Sequence, residues 1–296
     1  MRPIDILSQA PRILSQTERQ FYFDEGYVVQ ERAIDNEWLN RLNTALSKLV
    51  DRSRNLTSSD GTFDLEIGHT VDTPRLRRIA YLDDLDQVFW EFCSNSVLAD
   101  IAADLMGSNV RFRECLINFK WAHGGQQVEW HQDIPFYPHT NLSPAQFLIC
   151  LDDVGSEQGP LQVVPRSHLG PIFDHYDDAG NWLGHIPDTL IGGADVENAV
   201  ELTGPAGTVT VHNCATVHGS KQNLSARGRP VLIVGYSSCD ALPYTAPAYP
   251  SSNLGTVVRG EETKFAQHDP VSLRLPPDWS SGYTSIFAHQ AKANAK

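Results

Sequence analysis

The chain has 296 residues, 41% hydrophobic and 20% charged, the composition of a folded globular protein rather than a disordered or fibrous one. Acidic residues outnumber basic ones 36 to 23 and no segment gathers Lys and Arg on one face, which argues against nucleic acid as a partner. The opening MRPIDILSQAPRILSQTERQ is interrupted by proline and charge, and no apolar run approaches the ~20 residues that cross a bilayer, so a soluble, cytoplasmic protein without membrane contact is expected. Five scattered cysteines without C-x-x-C spacing fit a reducing compartment.

Along the chain, Ser15 and Glu18 have capping-box spacing ahead of an aromatic run. Gly26 can close that helix in the left-handed conformation before YVV turns extended. Asp35 is placed to start a second helix, in which Leu39, Leu42, Leu46 and Leu49 recur with the 3.6-residue period of one apolar face. A third helical region is expected from Asp84 to Leu105, broken near Ser94 to Ser96 and capped by Gly107.

After Gly107 the texture changes to short β-branched or aromatic runs bounded by Gly, Pro, Asn and Asp: 110–119, 127–133, 146–153, 160–165, 207–213 and 230–238. Helices first and strands afterwards predict a mainly β jelly roll with helices packed outside, not alternating βαβ units. We read one domain over 1–296: a helical part to about 107, a β core at about 108–240 and a C-terminal extension at about 241–296. Residues 174–198 are too long and polar for a turn and predict a lid or an insertion.

The chemistry concentrates in WHQDIPFYPHT, residues 130–140. On an extended strand His131 and Asp133 project from one face, close enough to share an ion, while Gln132 points away. A third ligand has two candidates, His212 and His218. Two histidines and a carboxylate make the facial triad that leaves open positions on a non-haem Fe(II), whereas the H-E-x-x-H helix of many zinc hydrolases is absent. No G-x-S-x-G, P-loop or G-x-G-x-x-G motif anchors a hydrolase, NTPase or nicotinamide reading.

The order W-H-Q-D at 130–133, E-Q-G-P-L-Q-V-V-P-R-S-H at 157–168 and H-G-S at 218–220, with Asn223 and Arg229 behind it, resembles the phytanoyl-CoA dioxygenase family of Fe(II)/2-oxoglutarate oxygenases. The resemblance covers residues 108–238 closely and implies a double-stranded β-helix core. It implies His131, Asp133 and His218 as iron ligands, Arg229 and Ser220 on the distal carboxylate of 2-oxoglutarate, and Asn118 as an amide contact to that cosubstrate. A guanidinium fork suits a carboxylate through two parallel charge-assisted bonds. Because Asp133 stands where halogenases of the family carry alanine, the resemblance implies hydroxylation of an unactivated C–H bond with O2, releasing succinate and CO2.

The family's usual glycine is replaced by Arg166, which either alters that turn or reaches out of it, and His168 and His212 read as structural histidines. A small polar or anionic metabolite is the expected substrate. The cluster Arg75, Arg77 and Arg78 suits an anion, and Arg75 and Arg77, with Phe136 and Tyr137, are the candidates to contact it, although surface pairing of the arginines with Asp72, Asp83 and Asp84 is the plainer and preferred reading. Two rivals stand beside this expectation: a cupin-like metal enzyme without 2-oxoglutarate, and a catalytically silent binding protein. A monomer and a homo-oligomer both fit.

Overall fold

In the computed structural model, which describes residues 2–283, 285–287, 289 and 290, the capping box forms in both directions. Ser15 Oγ accepts from the Glu18 amide and the Glu18 carboxylate accepts from the Ser15 amide. The helix α2 (Gln16–Glu25) follows a short α1 (Pro3–Leu7) and ends at Gly26, whose φ of 85° turns the chain into strand β1 (Tyr27–Gln30). Asp35 caps α3 (Asn36–Ser53) by accepting from the Trp38 amide, and the expected leucine face is the buried one. Each of these leucines contributes about 1.5–3 kcal/mol by leaving water.

The third helical region is three helices: α4 (Leu82–Leu85), α5 (Gln87–Asn95) and α6 (Val97–Met106). The break at Ser96 was legible. The break at Asp86 was not, because its side chain caps α5 by accepting from the Val88 amide while its own backbone is extended.

Asp104 on α6 anchors the N-terminus. Its carboxylate, 2% exposed, accepts from the backbone amides of Arg12, Ile13 and Leu14 at 2.7–2.9 Å, while buried Arg19 donates to the Asp104 carbonyl and to those of Ile6 and Gln9. Asp104→Ala leaves three amides without their acceptor and is expected to cost about 2–4 kcal/mol, read as a lower midpoint of chemical denaturation.

The remaining strands are β2 (Phe63–Leu65), β3 (Leu76–Ile79), β4 (Val110–Lys120), β5 (Val128–His131), β6 (Ala145–Cys150), β7 (Leu161–Val163), β8 (Val200–Leu202), β9 (Val209–Asn213), β10 (His218–Ser220), β11 (Arg229–Ser238) and β12 (Val257–Arg259). They form two antiparallel sheets. The larger runs β1-β9-β6-β11-β4-β3-β2 with β12 on the β4 edge, and the smaller runs β5-β10-β7-β8, the sheet pair of a jelly roll.

Alternation sorts the larger sheet. Cys115, Ile117 and Phe119 on β4, Phe147 and Ile149 on β6 and Leu232 and Val234 on β11 share one core with α3, α5 and α6. The other face of the same strands, carrying Glu114, Leu116, Asn118 and Lys120 on β4 and Arg229, Val231 and Ile233 on β11, lines the cavity between the sheets. Arg166 sits at φ 66°, the left-handed conformation in which glycine costs least, and its side chain reaches outward to within 3.8 Å of Glu25. The turn is therefore kept, with arginine bearing the backbone cost.

Residues 174–198 are anchored rather than draped. His175 Nε2 accepts from the Gln132 amide, the Ile186 amide donates to the Trp130 carbonyl, and Ile186 packs with Val164 and Val217. Among the described residues no helix is long and apolar enough to cross a membrane.

Candidate metal and cosubstrate site

His131 ends β5 and His218 begins β10, and the two are direct partners across the ladder, so their rings lie 4.0 Å apart. Each Nδ1 is engaged by a backbone carbonyl, Glu129 O at 2.8 Å for His131 and Thr216 O at 2.9 Å for His218. A carbonyl only accepts, so both Nδ1 atoms carry the hydrogen and both Nε2 lone pairs are free to ligate. They face Asp133 Oδ1 at 3.8 and 3.7 Å.

The strand ends before Asp133, which corrects the expectation of an extended run through 133. Asp133 is held instead by its amide, which donates to the Cys214 carbonyl, and Gln132 turns away to donate to Pro171 and Ala215. The pair meets as expected, but through a turn that closes on β9.

Ligand atoms of His131, Asp133 and His218 all lie within 4.8 Å of one another. His212, the rival third ligand, lies on the larger sheet with Nε2 3.3 Å from Asp133 Oδ2. A carboxylate accepts, so that nitrogen is the donor and His212 orients the oxygen turned away from the other histidines. Burial, then His212, pushes His218 down to about 4, and burial with His218 holds His131 well below its usual value. Both are neutral at pH 7, as ligands must be. Two ready imidazole lone pairs and one carboxylate on one side of a cavity fit a divalent iron with open positions.

Arg229 lies in the same cavity, 6% exposed, with Nε lacking any partner. Burial pulls it down to about 10, which still leaves it charged. Asn118 shares the cavity wall, its Oδ1 accepting from Arg78 Nε at 2.8 Å. Ser220 Oγ is 2.8 Å from Lys120 Nζ, and Lys120 faces Arg229 directly across the β4–β11 ladder. The turn that follows Lys120 needs Gly125: at φ 75°, a Cβ there would stand 2.7 Å from Lys120 Cα.

Phe136 and Tyr137 line the cavity as expected. Arg75 and Arg77 do not. They pair with Glu66 at 2.8 Å and Asp64 at 2.7 Å outside it, and the aspartates that seemed natural partners from sequence are not the ones used. Adjacent residues of a strand point to opposite faces, so Arg78 is the arginine that enters, donating to the Tyr249 hydroxyl beneath Phe287. His168 binds the Phe23 carbonyl through Nε2 at 3.0 Å, away from the cavity. Sequence reading missed Lys120 and Glu114, took Arg78 only as part of the arginine cluster, and missed Tyr249, Tyr283 and Phe287 of the C-terminal part. For Lys120 a signal existed, since it lies two residues from Asn118 on one strand.

Comparison with known proteins converges on one description. The model of the family described as phytanoyl-CoA dioxygenase (PhyH) matches residues 22–231. A probable alpha-ketoglutarate-dependent hypophosphite dioxygenase of Stutzerimonas stutzeri is 29% identical over 285 residues, 94% of this chain and 98% of that protein. An ectoine dioxygenase of Bordetella bronchiseptica is 27% identical over 241 residues, 77% and 76% of the two chains. Among solved structures, EctD from S. alaskensis with bound iron superposes with a TM-score of 0.68 at 20% identity, over 86% of this chain and 91% of that one.

Proposed function

The chain belongs to the phytanoyl-CoA dioxygenase family, and on that premise we propose that it is an Fe(II)- and 2-oxoglutarate-dependent oxygenase hydroxylating a small polar or anionic metabolite. One observation carries the reading: two histidines with their Nδ1 atoms committed and a carboxylate converge in the cavity that also buries Arg229 without a carboxylate partner.

His131, Asp133 and His218 would hold the iron, which with 2-oxoglutarate and O2 supplies the oxidation of a C–H bond, releasing succinate and CO2. The chain's part is placement. Arg229 would take the distal carboxylate through its planar fork, with Ser220 and the amide of Asn118 beside it. His212 fixes one oxygen of Asp133 and so aims the other. Phe136 and Tyr137 wall the substrate side, and the aromatic residues Tyr249, Tyr283 and Phe287 keep water from it. Five buried free thiols fit a reducing, cytoplasmic setting.

The test needs no substrate. Fe(II) is added anaerobically to metal-free protein, 2-oxoglutarate is titrated, and a saturable visible charge-transfer band is expected; bound iron without a band would return the reading to a cupin-like enzyme. In the same assay His218→Ala is expected to lose stoichiometric iron and His212→Ala to keep it, with iron content measured after desalting. The reverse pattern would make His212 the ligand.

A further inference from the structure

Arg229 and Lys120 are direct cross-strand partners, respectively 6% and 1% exposed, and among the described residues neither makes an ion pair. Like charges directly opposite destabilise a sheet and burial without an acid magnifies the cost, so an empty site resists charging both at once. A fold that keeps such a pair inside a cavity is arranged for an anion that neutralises it. Arg229 with Ser220 accounts for the distal carboxylate in the reading above. Lys120 is unaccounted for.

Its hydrogens identify its task. Nζ donates to Ser220 Oγ at 2.8 Å and to the Lys221 carbonyl. A neutral amine has only these two hydrogens, so it offers nothing to a carboxylate beside Arg229. An ammonium has a third. Burial, followed by the nearby Arg229 charge, pulls Lys120 down to about 6, so in the empty site at pH 7.5 the amine form prevails.

We propose that Lys120 is a second cation for the distal carboxylate of 2-oxoglutarate, taking up one proton from solvent as the anion enters and donating its third hydrogen to it. This rests on the cosubstrate assignment and extends it to a residue that the sequence resemblance did not single out. The proton is gained by Nζ and lost by the buffer, and no other bond changes.

The groups facing Lys120 do not titrate in the same range. Arg229 on β11 loses its proton only near 10. Cys150 on β6, which pairs with Val231 and feels the Arg229 charge, is pushed up to about 11 by burial, and Ser220 and the Lys221 carbonyl on the β10 side carry no charge. Affinity for 2-oxoglutarate is therefore expected to fall as pH rises from 7 to 8, approaching tenfold per unit, because the bound state holds one more proton than the empty one.

The experiment is anaerobic calorimetry of 2-oxoglutarate binding to the Fe(II)-loaded protein at pH 7.5 in buffers of different ionisation heat, repeated at pH 7 and 8. Wild type is expected to take up close to one proton per ligand. Lys120→Met should bind more weakly and lose both the uptake and the pH slope, while Lys120→Arg should recover affinity without either. The uptake and slope of the wild type stand even if a variant folds poorly, and melting temperatures with iron content identify such a variant. Binding that depends on Arg229 but shows no proton uptake, with Lys120→Met unchanged, overturns this inference alone. No binding by the wild type overturns the cosubstrate assignment with it.

Discussion

Asp133→Ala is expected to reduce Fe(II) affinity by more than ~100-fold and to bring succinate formation to background. Loss of residues that merely orient a ligand costs 10–100-fold in metal affinity, and this substitution removes a proposed ligand itself. What remains is two neutral imidazoles, with no anion to offset a divalent charge in a buried cavity. The change is clean because the backbone of Asp133 is fixed independently: its amide and that of Ile134 both donate to the Cys214 carbonyl. The check is iron per protein after anaerobic desalting, with the melting temperature of the metal-free protein as the folding control. Stoichiometric iron in the variant would remove Asp133 from the ligand set.

That site was legible where it depends on short spacing and obscure where it depends on register between distant strands. His131 and Asp133 could be paired from sequence because two residues separate them, although the backbone reaches that result by leaving the strand at His131 rather than continuing it. The choice of His218 over His212 came from a resemblance. What supports that choice lies only in three dimensions: His218 meets His131 across the ladder between β10 and β5, and His212 on the other sheet spends its Nε2 on Asp133 Oδ2.

The arginine cluster at 75–78 shows the limit from the other side. Composition marks it as a place for anions, but the start of β3 and its pairing with β4 decide which guanidinium turns inward. Strands of three or four residues carry little alternation, and β2, β3, β8, β10 and β12 went unrecognised, whereas the equally short β1, β5 and β7 stood out by their β-branched or aromatic residues and bounding turns. The aromatic wall from Tyr249 to Phe287 meets residues more than a hundred positions earlier, a closure that no local pattern encodes.

Arg229→Ala is expected to weaken 2-oxoglutarate binding by roughly 30-fold to several thousand-fold, the span that corresponds to about 2–5 kcal/mol for truncating one partner of a buried charge pair. Iron is expected to stay, since Arg229 belongs to β11 and touches none of the three ligands' carbonyl anchors. The metal-free protein should be no less stable and is expected to melt slightly higher, because the substitution removes a buried guanidinium whose Nε has no partner. Arg229→Lys should recover little of the lost affinity: a lysine ammonium is a point donor on a flexible stem, and a second lysine already occupies the opposite strand position. The measurement is the midpoint of the charge-transfer titration for wild type and both variants at one pH, with iron content alongside. Unchanged midpoints in Arg229→Ala would mean that another cation of the cavity holds the carboxylate, with Lys120 and Arg78 the two that line it.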